Sequence, residues 1–453
     1  MSVLTSTPVV HEAYAEHVNP QWVRLLDLLD MNVQYTRCEG MELSTSENRR
    51  ILDFLSGYCV HNIGHNHPAV VAALHDALEQ RGPAMLQSHI PELAGELAAR
   101  LCALAGGNLR KVFFCSSGSE GIEAAIKFTR ARTGRPGILS ASGAFHGLTC
   151  GALSLMDEPF WTHGFGPMLP HTAQVPFGDL LALERALATR QYAAFVVEPL
   201  QAEAGICVPE PSYLGGAQSL CRHYSTLLVM DEVQTGMCRT GPFLASHHFG
   251  IEPDLVVLAK ALSGGLVPSG AVLMTDSVYD AVYGSLKRSV VHASTFSENT
   301  LAMCAGLATL DVLEREHLGR QATDMGAYLR QQLCAALASY EMVQDVRGLG
   351  LLCGIAFHAP KQIKLRLQFE AFRRLHPAMF GQALVRRLFC VSNILTQVCG
   401  NNFMVLKVAP PLVVTRTHLD TFVAALQQAI AWVHSSAAFW SEALALGMKA
   451  LNS

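Results

Sequence analysis

The chain has 453 residues, 50% of them hydrophobic and only 15% charged, with a formal net charge of −4. That length exceeds one simple core, so two or more lobes are expected. So even a charge balance excludes a basic nucleic-acid surface or a charged tail, while a mean hydropathy of +0.25 points to large buried surfaces, a subunit interface among them.

Along the chain, the opening residues carry no basic segment leading into an apolar run, and no apolar run reaches membrane-spanning length. A cytoplasmic protein is expected. The 13 cysteines form no CxxC pair and no zinc-ligand spacing, which favours reduced thiols. The first fifty residues are mixed in character, and residues 42–55 are placed to pair with the C-terminal lobe. His65 and His67 share one loop with no acidic or thiol neighbour in sequence, so no metal site is assigned there.

The middle of the chain alternates apolar runs (111–115, 193–197, 226–230, 254–258) with helical stretches (121–131, 180–189). Runs that are apolar throughout suit strands covered on both faces. The pattern is that of an α/β domain with a mostly parallel sheet, whose chemistry gathers at the carboxyl ends of its strands.

Four points along this region carry candidate chemistry. Ser117, Gly118 and Ser119 follow a strand and open a helix, where free N–H groups make an anion site, although the same residues serve as an ordinary cap. Phe145 and His146 follow another strand end; a flat aromatic there can lie against a planar ligand or simply fill core. Asp231 ends the run 227–230, with Gln234 one turn later. Alone, Asp231 reads as readily as a surface acid. Lys260 ends the next apolar run, 29 residues on, and a lysine there is costly unless paired or used chemically. Desolvation lowers its pKa and frees an amine for Schiff-base formation. An amine and a carboxylate so placed are the two groups that pyridoxal 5′-phosphate (PLP) needs, one for its aldehyde and one for its pyridine nitrogen.

The C-terminal part reads as long helices over 301–316 and 324–339 and strands within 343–357 and 403–414, a smaller α+β lobe. Between those strands lies a basic stretch holding Lys361, Lys364, Arg366, Arg373, Arg374, Arg386 and Arg387, with Glu370 as its one acid. Leu365, Phe369 and Phe372 follow helical spacing. This is either an amphipathic helix covering the C-terminal lobe, or a basic lid for a bulky, lipid-like substrate or a membrane surface.

Nine motifs in order carry a resemblance over nearly the whole chain. They are Leu52-Asp-Phe-Leu-Ser-Gly with Gly64-His-Asn-His-Pro, Ser116-Ser-Gly-Ser-Glu, Phe145-His-Gly, and Val197-Glu-Pro-Leu-Gln-Ala-Glu-Ala-Gly. Asp231-Glu-Val-Gln-Thr-Gly, Leu258-Ala-Lys-Ala-Leu-Ser-Gly-Gly, Ser294-Thr-Phe, Val346-Arg-Gly-Leu-Gly and Ala409-Pro-Pro-Leu complete the set. The sequence resembles the class III (ω-type) PLP-dependent aminotransferases of fold type I. The resemblance implies a mostly parallel central sheet with helices on both faces, plus a smaller α+β lobe built from both termini. The corresponding divisions are an N-terminal segment over 1–80, a large PLP-binding domain over 81–315, and a small domain over 316–453 with the basic insertion near 361–400.

The same resemblance implies roles. Lys260 is to hold the cofactor and carry the proton between substrate and cofactor, and Asp231 is to pair with the pyridine nitrogen. Gln234 is expected near the phenolic oxygen and Phe145 on the ring, with His146 and Val233 as supporting contacts. Ser117, Gly118 and Ser119 are to hold the phosphate. Glu198 is expected beside the ring, fixing Gln234 or His146. Thr295 is expected to reach the phosphate of a neighbouring subunit, so the active site would be shared across a homodimer. The reaction implied is a ping-pong transfer of an amino group between an amine and a 2-oxoacid, 2-oxoglutarate or pyruvate.

Two departures bear on substrate. Thr295-Phe-Ser-Glu-Asn-Thr replaces the usual Thr-Phe-Gly-Gly-Asn-Pro and adds Glu298 close to the expected interface. Lys407 stands where members acting on α-carboxylates have arginine, and arginine grips a carboxylate with two parallel bonds where lysine offers a point charge. Glu203 resembles the family's gate glutamate and is placed to pair with Lys407. With Tyr58 in the specificity loop, these residues point to a donor that is a diamine or a bulky amine rather than a plain α-amino acid. An aminomutase of the glutamate-1-semialdehyde kind, an acetylornithine or ornithine aminotransferase, and a non-catalytic PLP-fold binding protein are the other readings.

Overall fold

The computed structural model describes residues 11–435 except 87, 376 and 377. Three short antiparallel strands come first: β1 (Tyr35–Glu39), β2 (Glu42–Thr45) and β3 (Arg50–Asp53). The central sheet follows, from β4 (Lys111–Cys115), β5 (Gly137–Ala141), β6 (Thr172–Val175) and β7 (Tyr192–Val197) to β8 (Leu227–Asp231), β9 (Leu255–Leu258) and β10 (Gly270–Met274). Its order is β4-β10-β9-β8-β7-β5-β6, and β10 alone runs against its neighbours. β8 and β9 are apolar over their whole length up to Asp231, as strands roofed on both faces must be. Each Val or Leu buried there contributes about 1.5–3 kcal/mol.

The C-terminal lobe contains β11 (Val343–Leu349), β12 (Leu352–Phe357), β13 (Ile394–Leu395), β14 (Gln397–Val398) and β15 (Val405–Val408). Residues 343–357 thus form a hairpin, not one strand, because Gly350 turns the chain at φ +53. A Cβ on Gly350 would lie 2.4 Å from the Thr240 backbone, so only glycine fits. The expected strand over 403–414 shrinks to four residues, since Pro410 and Pro411 lack the N–H a ladder needs. β13 pairs in parallel with β3, Ile394 opposite Leu52, which ties the N-terminal segment to the C-terminal lobe.

Two helices, Ile363–Leu375 and Met379–Ser392, occupy the basic stretch. Leu365 and Phe369 are buried, and Phe369 packs on Phe380, which packs in turn on Phe357. Arg386 pairs with Asp30, and Arg387 lies 3.7 Å over the Trp432 ring. Those parts of the apolar and basic faces are therefore turned onto the protein, as a covering helix requires. The side chains of Lys364, Phe372, Arg373 and Arg374 lie outside the described residues. No helix among the described residues is long and apolar enough to cross a membrane, and all 13 cysteines are free.

Candidate active site

The carboxyl ends of β4, β7, β8 and β9 open onto one cavity of about 650 Å³. Asp231 is the last residue of β8 and is 4% exposed. Its Oδ2 lies 2.8 Å from His146 Nδ1, and its Oδ1 accepts the Val233 N–H at 3.0 Å. Burial alone would lower the His146 pKa, but the hydrogen bond and charge of Asp231 outweigh it and hold the imidazole above its ordinary value. Glu198, one residue beyond β7, accepts the N–H groups of Phe145 at 3.1 Å and Ala202 at 3.1 Å. Burial raises its pKa to about 7 despite these bonds. Glu198 is expected to help fix Gln234 or His146; its hydrogen bonds anchor the backbone carrying Phe145, its charge acts on His146, and Gln234 Nε2 donates to Glu203 Oε1 at 3.1 Å.

Lys260 does not lie in β9, which stops at Leu258, but opens the 3₁₀ turn Lys260–Ser263 with φ +49. A left-handed lysine is an uncommon backbone state, held here by the packed turn around it. Burial pushes its amine below the ordinary lysine range, while the charges of Glu203 and Asp231 pull the other way. Lys260 and Asp231 line the same cavity.

The helix Gly118–Thr133 begins at one end of that cavity. Ser117 Oγ caps it by accepting the Glu120 N–H at 3.2 Å, and Ser119 Oγ accepts the Leu148 N–H at 3.2 Å. A Cβ on Gly118 would meet Val233 at 2.9 Å, and one on Gly147, whose φ is +117, would lie 2.9 Å from Ser119 Cβ, so both glycines keep these approaches open. Phe145 and Val233 supply apolar wall, and Phe145 packs edge-on against Trp161 at 5.2 Å between ring centroids. Gly147 and Gly265 lie within the Phe145-His-Gly and Lys260 motifs without having been assigned to the site, and Leu148 and Leu266 to Ser269 were not read as lining it; Pro268 after the Gly-Gly was the available signal.

These residues fit PLP. The cavity holds an amine, a carboxylate and a helix N-terminus at one end, and it contains buried polar atoms without partners at Gln234 Oε1 and Ser269 Oγ. His146 Nε2 is likewise buried and unpartnered behind Asp231.

Beyond Gln234 lies a second tier. Lys407, in β15 and fully buried, is paired with Glu203 Oε1, while Glu203 Oε2 accepts the Gly400 N–H at 2.7 Å. Lys407 Nζ sits 5.3 Å over the Tyr58 ring. The pairing raises the Lys407 pKa against the effect of burial and lowers that of Glu203. Tyr58 is presented by a left-handed run, with positive φ at Ser56, Gly57, Tyr58 and Cys59. That conformation costs about 1–2 kcal/mol per non-glycine residue.

Thr295 is not in this cavity. It is exposed beside a second one of about 410 Å³, with Glu298 and His292 in its wall. The two loop histidines do have acidic neighbours that sequence spacing concealed: His65 Nε2 lies 2.7 Å from Asp53, and His67 Nε2 3.2 Å from Glu316.

The family described as Aminotransferase class-III matches residues 27–430. Aminotransferase PigE of Serratia sp. is 35% identical over an alignment of 445 residues that covers 91% of this chain, and the chain spans 52% of that relative's length. A putrescine aminotransferase of Pectobacterium atrosepticum is 35% identical over 421 residues, 90% of this chain and 85% of the relative. An (S)-enantioselective omega-transaminase from Thermomicrobium roseum superposes with a TM-score of 0.82 at 29% identity, covering 94% of this chain and 100% of its own. An ornithine aminotransferase from Toxoplasma gondii, with partial occupancy of PLP at its active site, superposes with a TM-score of 0.80 at 29% identity, covering 89% and 90%.

Proposed function

The chain belongs to the class III aminotransferases, and from that premise we propose that its amino donor is a terminal amine, such as a diamine, rather than a plain α-amino acid. It is a PLP-dependent transferase of amino groups. The observation that carries the donor assignment is the buried pair Lys407–Glu203. Glu203 already neutralises Lys407, holds Gln234 and accepts the Gly400 N–H. A substrate carboxylate would have to break that set, and separating a buried pair costs about 3–5 kcal/mol. A neutral or cationic donor leaves it intact. The putrescine aminotransferase among its relatives points the same way.

PLP, when bound, supplies an electron sink that stabilises the charge left when the donor's α-proton departs. The protein's own residues do the rest. Lys260 is to hold the cofactor covalently and, once released, to accept and return that proton; its lowered pKa keeps a larger neutral fraction available for the work. Asp231 is to keep a negative charge against the pyridine nitrogen, with His146 fixing the carboxylate from behind. Gln234 is to orient the ring's phenolic side, Phe145 and Val233 to confine its faces, and Ser117, Gly118 and Ser119 to take the phosphate at the helix N-terminus. Thr295, exposed at the second cavity, is to complete the phosphate site of a partner subunit in a homodimer.

The test is steady-state turnover with putrescine, cadaverine, ornithine and glutamate as donors and 2-oxoglutarate or pyruvate as acceptor. The diamines are expected to exceed glutamate at least about tenfold in kcat/KM. Lys407→Arg should leave diamine turnover unimproved. Rapid wild-type turnover of glutamate or ornithine would sink the donor assignment while leaving the aminotransferase intact.

A further inference from the structure

We propose that Ser269 is an additional ligand of the cofactor's phosphate, supplied by the start of β10 within the same chain. This rests on the cavity being the PLP site. β10 pairs antiparallel with β4, with Gly270 opposite Cys115. Extending that register by one step would set Ser269 opposite Ser116, at the entry to the turn of Ser117, Gly118 and Ser119. The approach is close, because a Cβ on Gly270 would meet Ser117 O at 2.9 Å. Ser269 lines the cavity, is 5% exposed, and its Oγ has no hydrogen-bond partner. A buried hydroxyl without a partner is costly, and one carried by a residue of the cavity wall can turn to a group that the cavity holds.

Charge makes the same demand. A phosphate monoester carries about −1.5 to −2 at neutral pH. Among the described residues lining the cavity, Lys260 is the one basic side chain, and its amine is assigned to the other end of the cofactor. The phosphate must therefore be met by N–H and O–H donors. Ser117 and Ser119 each accept one backbone N–H and keep a proton to give. Ser269 brings a third hydroxyl, from the opposite strand, so that the phosphate is held from two sides of the β4–β10 edge.

The experiment compares wild type, Ser269→Ala and Ser269→Thr, each freed of cofactor and matched for thermal unfolding. Each is titrated with PLP and, separately, with pyridoxal, which lacks the phosphate. Ser269→Ala is expected to weaken PLP roughly tenfold, the effect of one lost bond to a charged group, while pyridoxal shifts less than about twofold. Ser269→Thr, which keeps the hydroxyl, is expected to recover most of the loss. An unchanged PLP affinity in Ser269→Ala overturns the assignment, and so does a parallel loss for PLP and pyridoxal, which marks a packing role. Wild type that binds PLP no better than pyridoxal removes the cavity as the phosphate site and the Ser269 assignment with it.

Discussion

At the scale of single residues, the site depends on acids whose surroundings push them apart. Glu198 is buried with a pKa near 7, whereas Glu203 is held below its usual value by Lys407. For Glu198 the folded state binds its proton more tightly than the unfolded state does. That contribution to stability is complete below the ordinary glutamate pKa and is lost as pH rises through about 7. In the cofactor-free protein the stability of wild type relative to Glu198→Gln is therefore expected to fall between pH 5 and pH 8, a comparison in which the opposing titration of His61, held by burial below its ordinary value, cancels; a scanning-calorimetry pH series of both proteins reads it. For the pair, Glu203→Gln leaves Lys407 buried without its counter-charge and is expected to cost about 3–5 kcal/mol in urea unfolding. Adding Lys407→Met should recover most of that loss. Lys260 and Asp231 were legible in sequence as a pair at successive strand ends, and Gln234 through the motif that carries the family resemblance. Ser269 was not, since it is an ordinary serine before a strand, and Gly147 was legible only as part of the Phe145-His-Gly motif, its purpose appearing against Ser119.

At the scale of elements, the apolar runs located β4, β7, β8 and β9 to within a residue, because such runs have no alternation to confuse, while β5, β6 and β10 were not read from them. Helices were legible in type and blurred at their ends: the stretch expected from 121 starts at Gly118, where Ser117 supplies the cap. The C-terminal strands were overdrawn, since the turn at Gly350 and the prolines after Ala409 act through backbone geometry that an apolar pattern does not display. The helix Ile363–Leu375 buries Phe369 against Phe380. Phe369→Ala is accordingly expected to cost about 3–5 kcal/mol of stability with the absorbance of bound PLP unchanged. Vesicle flotation of the wild type should show no association; retention on anionic vesicles would restore the membrane reading of this helix.

At the scale of the whole molecule, the N-terminal segment reaches the site through long-range pairing that no local signal contains. Parallel pairing of β13 with β3, and the buried Arg239 bonded to Asn62 and to the carbonyls of Leu351 and Pro410, tie three distant stretches of chain together. Thr295 and Glu298 lie outside the first cavity, and under the proposed function Thr295 serves the site of a second copy. Light scattering is expected to give twice the chain mass or a multiple of it, and Thr295→Ala to weaken PLP retention without dissociating the assembly. A monomer with full activity would remove the shared site.

The most direct test is a single-turnover absorbance experiment on the PLP-loaded protein, mixed with putrescine in the absence of any oxoacid. The account predicts loss of the visible band of lysine-bound cofactor and growth of the near-ultraviolet band of its aminated form, both abolished in Lys260→Ala. A wild type that shows no band, or a Lys260→Ala variant that converts as the wild type does, would contradict it.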